Sequence, residues 1–153
     1  MDIRVMEAPF DAGEVLSSFQ AQLNGAGAMV SFTGIVRDTD RGDLEAMKIE
    51  HYPGMTESAL TQIAEDAKAR WDLNDLLVIH RYGRLVPGEV IMMVATASRH
   101  RKSAFEAADF MMDYLKSRAP FWKKEITHSG AEWVASKEDD EAALASWTTN
   151  SKT

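Results

Sequence analysis

The stretch from Arg99 to Glu125 constrains the fold most, because it commits the chain to a strand, a helix, a sharp stop and a second strand within little more than two dozen residues. It is entered from Val90 to Ala97, a run apolar nearly without interruption, as a strand buried on both faces would be. Arg99-His100-Arg101-Lys102 follows. Ser103 with Glu106 three residues on fits a capping box, so the helix is expected to start at Ser103. Phe105, Ala108, Met112 and Leu115 mark its apolar stripe. Pro120 disfavours helical geometry at Ala119 and sets the stop near Arg118. Lys116 and Arg118 then fall in the last turn, where cations are favoured by the helix dipole. Lys123 and Lys124 follow Phe121 and Trp122, two bulky aromatics that anchor the start of the next strand. A helix end and a strand start can thus hold two ammonium groups over one cleft.

Charge narrows what such a cleft takes. Residues 99 to 124 carry seven Lys or Arg against three Asp or Glu, inside a chain whose formal charge is -7. A cationic island on an acidic protein suits a small anion or a carboxylate-bearing tail better than a long nucleic acid, whose phosphates the rest of the surface repels. The absence of cysteine excludes disulfides, thiolate catalysis and zinc-cysteine sites. The chain start has no signal-peptide pattern and no apolar run approaches a membrane span, which points to the cytoplasm.

The remaining elements read as follows. Ile3 to Met6 is an edge strand. Asp11 and Glu14 cap a helix through Val15, Leu16, Phe19 and Leu23 that closes near Gly25. Ala28, Val30 and Phe32 alternate in a strand where Gly34 signals a bulge or a close backbone approach. Arg37 emerges at the mouth of the loop D-T-D-R-G-D, which turns back into a strand from Leu44 to Tyr52. Pro53-Gly54 turns into a helix capped by Thr56, with Leu60, Ile63, Ala64, Ala67 and Trp71 on one face. Leu76 to Tyr82 is a strand and Pro87-Gly88 a turn. Two short strands, Ile126 to Thr127 and Glu132 to Ala135, flank Ser129-Gly130. A helix from Glu138 to Trp147 ends the single domain, residues 1–147, and 148–153 is expected to be a disordered tail. Short turns between several strands demand antiparallel pairs, so the fold class is α+β, with an antiparallel or mixed sheet covered by helices.

Familiar sites are missing. Neither G-x-x-x-x-G-K-[ST] nor G-x-G-x-x-G occurs, G-x-S-x-G is absent, and His51, His80, His100 and His128 lack metal-ligand spacing. No metal and no cofactor is expected. His80, inside L-L-V-I-H-R-Y, reads as a structural strand residue. What remains is a basic constellation: Arg37, His100, Arg101, Lys116, Lys123 and Lys124. Arginine grips an anion with paired hydrogen bonds, whereas a lysine can be tuned to give or take protons. Two neighbouring ammonium groups lower one another's pKa.

Four segments carry a family resemblance: V-S-F-T-G-I-V-R (30–37), E-H-Y-P-G-M-T (50–56), H-R-K-S-A-F-E-A (100–107) and M-D-Y-L-K-S-R-A-P-F-W-K-K-E (112–125). In order and spacing, from about Ile3 to Trp147, the chain resembles the catalytic large subunit of molybdopterin synthase. The resemblance implies an α/β-hammerhead-like fold and a sulfurtransferase of molybdenum-cofactor biosynthesis. Such an enzyme converts cyclic pyranopterin monophosphate to molybdopterin. It inserts dithiolene sulfurs from the C-terminal Gly-Gly thiocarboxylate of a small ubiquitin-like carrier subunit, within a heterotetramer built on a homodimer. It also implies that Lys116 and Lys123 are catalytic. Arg37, His100 and Arg101 match anion-binding positions, and Lys124 and Glu125 complete the motif on the substrate side. Three departures stand out: Arg99 where a small residue is usual, Ile35 where a lysine is common, and Lys137 where an arginine can reach the neighbouring subunit's site. A lysine cannot reproduce that planar fork.

Two other readings compete. One is an anion- or RNA-binding module that stacks bases on Phe121 and Trp122, against which the acidic remainder counts. The other is a carrier-binding scaffold without chemistry, against which the retention of both lysines counts. Phe32, Met112, Phe121 and Trp122 either line the tail channel or belong to the core.

Overall fold

In the computed structural model, residues 1–134 and 138–150 are described. Sheet one is mixed, with strand order β1 (Asp2–Met6), β4 (Asp75–Arg81), β6 (Val90–Ser98) and β2 (Ala28–Ile35). β1 runs parallel to β4, while β4 and β2 flank β6 antiparallel. Where one sheet was expected there are two. The second is antiparallel, in the order β5 (Gly83–Leu85), β3 (Leu44–His51), β7 (Phe121–Thr127) and β8 (Gly130–Val134). The three-residue β5 is too short to carry a readable alternation, and β7 begins at Phe121 rather than at Ile126.

Strand alternation gives sheet one two apolar faces. Helix α1 (Ala12–Ala21), with Asp11 accepting the Glu14 N–H at its start, covers Leu77, Ile79, Met93 and Ala95. The opposite face, with Leu76, Val78, Met92 and Val94, packs under α2 (Met55–Trp71) and α3 (Arg101–Ser117). Helix α4 (Glu138–Asn150) lies against α3. Trp147 packs edge-on against Trp71 and Phe110, and Arg118 pairs with Glu141 at 2.9 Å. α4 therefore runs through the first three residues of the stretch expected to be a tail. Residues 151–153 and Lys137 lie outside the described residues. Among the described residues no helix is long and apolar enough to cross a membrane.

Helix starts differ from the sequence pattern for identifiable reasons. α3 begins at Arg101 with an extended His100 before it, two residues ahead of the expected Ser103, and no side chain caps it. The strand-to-helix junction sets that start: the Ser98 hydroxyl donates to the His100 carbonyl, and the buried Thr96 hydroxyl donates to Ala104 O at 2.7 Å. Glu106, expected to complete a box, accepts instead from the Trp71 indole at 3.2 Å. The buried residues of α3 are Ala104, Ala107, Ala108, Phe110, Met111 and Leu115, and Phe105 is 60% exposed. Small alanines let the helix approach the sheet closely, so the larger Phe105 is left on the flank. In α2 it is Gly54 that precedes the helix. Thr56 sits buried in the first turn, donating to Tyr52 O and accepting from Tyr52 N.

Two glycines pin the parts that matter for the site. A Cβ at Gly27 would stand 2.4 Å from the Arg99 carbonyl oxygen, so only glycine lets the chain pass the start of the basic run. At Gly34 a Cβ would stand 3.2 Å from Met92 Cγ, and the register shifts between Gly34 and Ile35, as expected of a bulge.

Candidate active site

A cavity of about 240 Å³ opens between the end of β2, the last turn of α3 and the start of β7. Lys116 and Lys123 both line it, together with Phe32, Gly34, Met92, Met112 and His80. Local structure explains the convergence. Pro120 ends α3, and Arg118 N and Ala119 N both bond back to Tyr114 O. The chain then enters β7 at once, so Lys116 on the helix end and Lys123 on the strand are brought to one hollow. Alternation along β7 sends Phe121 and Lys123 to the cavity side and Trp122 and Lys124 to the other.

The electrostatics follow from this enclosure. Burial, reinforced by the Lys116 charge and only partly offset by Asp140 on α4, pushes Lys123 down from its usual value to about 8. His80 was expected to be merely structural, yet it lies at the site. Its ring is 3% exposed and stacks on Phe121 with centroids 3.7 Å apart, and its Nδ1 lies 2.8 Å from Arg81 O. Burial first, then Lys123, with Lys116 and His51 adding, push its pKa down to about 3, against the opposing pull of the Arg81 carbonyl. The sequence did hold a signal: Leu76, Val78 and His80 share one face by period-two alternation. That α3 and β7 would close over this face was not readable from β4 alone.

The other expected site residues are spread out. Arg37 is exposed just beyond Val36, whose N–H and C=O are tied to Glu89 O and Gly88 N, so it emerges at the same end of β2 as the cavity. His100 and Arg101 are exposed at the opposite end of α3, about 22 Å along the axis from Lys116 at 1.5 Å per residue. Within one chain they do not meet the two lysines. Lys124 places its ammonium 4.4 Å from the centre of the Trp133 ring, away from the cavity. Glu125 lines a separate, more polar hollow of about 410 Å³ with Thr39, Arg41 and Trp133. Of the four apolar residues in question, Phe32 and Met112 line the cavity and Phe121 backs His80, while Trp122 meets Tyr52 edge-on at 4.7 Å on the other face. No group of three or more potential metal ligands occurs among the described residues.

A family model described as MoaE protein matches residues 5–118. The chain is 63% identical over 147 residues to the molybdopterin synthase catalytic subunit of Cereibacter sphaeroides, covering 96% of this chain and 100% of that one. It is 53% identical over 148 residues to the protein of the same description in Pseudomonas aeruginosa, covering 96% and 99%. Among solved structures, the molybdopterin biosynthesis MoaE protein from Burkholderia ambifaria MC40-6 superposes with a TM-score of 0.82 at 46% identity, covering 96% of this chain and 97% of that one.

Proposed function

This chain belongs to the MoaE protein family, and from that membership we propose how its cavity works. The chain acts in molybdenum-cofactor biosynthesis as a molybdopterin synthase, the enzyme that adds dithiolene sulfurs to the pterin precursor. The finer assignments are ours. The substrate is cyclic pyranopterin monophosphate, and the sulfur arrives as the C-terminal thiocarboxylate of a small ubiquitin-like carrier. The relatives' description as a catalytic subunit favours such a second subunit. We place the reaction in the cytoplasm.

The observation that carries this reading is the pairing of Lys116 and Lys123 in one hollow, with Lys123 held at about 8. A thiocarboxylate is already an anion and needs no base. It needs positive charge to draw it in and an acid for the oxygen it displaces. Lys116, on the helix end, steers and steadies the thiocarboxylate against the carbon under attack. Lys123, whose ammonium gives up its proton near neutral pH, protonates the departing oxygen as the carbon–sulfur bond forms. Water then cleaves the acyl–sulfur bond, returning the carrier tail as a carboxylate and leaving the sulfur on the pterin.

Arg37, exposed at the same end of β2 as the cavity, holds the phosphate, and Ile35, which lines the cavity, adds no charge. His100 and Arg101 lie too far from Lys116 to reach the same substrate in one chain. A second copy of the chain that sets its α3 start against this cavity would supply them, which favours a homodimer inside the heterotetramer. Lys124 and Glu125 lie outside the cavity, by Trp133 and the neighbouring polar hollow, and serve the carrier rather than the reacting pterin.

The test is reconstitution: this protein, the carrier bearing a thiocarboxylate, and cyclic pyranopterin monophosphate, with molybdopterin read by the fluorescence of its oxidised derivative. Conversion is expected with the thiocarboxylate and none with an ordinary carboxylate end. Carrier binding without any conversion would leave a scaffold and overturn the reading.

A further inference from the structure

His80 is the buried titratable group that this scheme leaves idle. Its Nδ1 faces the Arg81 carbonyl at 2.8 Å, and a carbonyl only accepts, so Nδ1 carries the proton. The ring is neutral, because burial opposes its charge and two ammonium groups face it, Lys123 from β7 and Lys116 from α3, with His51 beyond on β3. A neutral ring protonated at Nδ1 has its lone pair on Nε2. Phe121, stacked at 3.7 Å and 17°, fixes the plane of the ring. Among the described residues Nε2 has no hydrogen-bond partner, and the ring lines the cavity.

Lys123 starts from the same side of β7 as Phe121, about 7 Å along the strand, and lines the same cavity as the His80 ring. It forms no ion pair among the described residues. Asp140 on α4 influences it only as a charge at a distance. That matters chemically. A carboxylate at the lysine would orient it but would also hold its proton and raise its pKa, whereas a neutral imidazole orients without that penalty.

We infer that His80 is a positioning residue for Lys123: its free Nε2, which makes no bond to Lys123 in this structure, accepts one N–H of the ammonium when substrate enters the shared cavity and turns the others toward that substrate. After the proton is delivered, the amine stays tethered by the same contact. The inference rests on Lys123 being the proton donor, and it extends that reading to the group that aims it.

The test follows the ring nitrogens of the histidine-labelled full-length protein by two-bond proton–nitrogen NMR correlations from about pH 6 to about pH 10. His80 is expected to stay neutral and protonated at Nδ1 throughout. Its Nε2 resonance is expected to move with a midpoint of about 8 as Lys123 loses its proton, and that step is expected to vanish in Lys123→Met. An imidazolium at neutral pH, a proton on Nε2, or an Nε2 signal indifferent to Lys123 overturns the inference.

A pair of variants separates aiming from support. In His80→Gln the amide oxygen can stand where Nε2 stood, whereas His80→Asn reaches only the Nδ1 position. His80→Asn is expected to lower kcat roughly tenfold with KM little changed, the worth of one hydrogen bond. His80→Gln is expected to recover most of that loss. The reverse order would mean that the ring merely serves the Arg81 carbonyl, and would overturn the inference. The nitrogen titration needs no turnover, so an inactive wild type would count against the proposed function while the titration still decides His80.

Discussion

The two ends of α3 carry similar charge in opposite settings. At its C-terminal end Lys116 faces Lys123 and His80 across a partly closed hollow, with the helix dipole on its side. At its N-terminal end Arg99, His100, Arg101 and Lys102 are all exposed, with the dipole against them. One contact relieves this crowding, Lys102 with Glu106 at 4.0 Å. The difference teaches that burial, not the number of cations, sets up proton chemistry. The exposed end has more positive groups, yet the lysine shifted well below its usual value is at the enclosed one. Solvent screens the first cluster into a field that attracts anions, while enclosure turns the second into an acid.

The widest gap between the two ends is expected in turnover. Lys123→Ala and Lys116→Ala should each lower kcat by about 10² to 10⁴, the usual worth of a positioned acid or charge. His100→Ala and Arg101→Ala should act mainly on KM. Steady-state kinetics on all four variants checks this, and a kcat loss at Arg101 equal to that at Lys123 would erase the distinction.

pH sharpens it further. A donor that ionises at about 8 is protonated below that value, so the single-turnover rate should be flat below it and fall as pH rises through it. A rate that instead climbs through the same midpoint would make Lys123 a base.

Stability gives the next largest effect. The folded pKa of Lys123 lies below its unfolded value, so the unfolded chain binds more protons between about 8 and 10.5, and stability rises with pH across that window. Below it the full cost of burying the ammonium is present. Lys123→Met should therefore stabilise the fold at pH 7 by roughly 1–3 kcal/mol, with the gain fading as pH approaches 10.5. Urea titrations at two pH values measure it, and destabilisation at pH 7 would contradict the burial argument.

The smallest effect belongs to the exposed end. Arg101→Ala should stabilise α3 by about 0.3–1 kcal/mol at low salt, through relief of the dipole, while weakening anion binding more at low salt than at high. Thermal melts and binding at two ionic strengths separate the two. Equal weakening at both strengths would mean that Arg101 is not a screened surface charge.

Much of this was legible in the sequence because local rules governed it. Pro120 after Lys116, the alternation of β2, the nearly unbroken apolar run of β6, the Asp11 cap and the basic pair after Phe121-Trp122 each act within a few residues. The misreadings came from tertiary choices. Ser103 and Glu106 spell a capping box, but the Thr96 hydroxyl, at the end of the strand that enters the helix, claimed a first-turn carbonyl, and the sequence-distant Trp71 indole claimed the carboxylate. Phe105 outranks alanine in hydrophobicity, yet it falls on the flank, while Ala104, Ala107 and Ala108 face inward where the first half of α3 approaches closely. His80 looks like any strand histidine until Phe121 and Lys123 close over it. The basic constellation was likewise read as one cluster, because sequence spacing does not show that His100 and Lys116 lie at opposite ends of a 17-residue helix.

The most direct measurement is reconstituted conversion by Lys123→Ala beside Arg101→Ala, each confirmed folded and carrier-binding, with saturating thiocarboxylated carrier and cyclic pyranopterin monophosphate. Conversion lost at Lys123 and retained at Arg101 is the expected result. Full conversion by Lys123→Ala would contradict the claim that the enclosed lysine performs the chemistry.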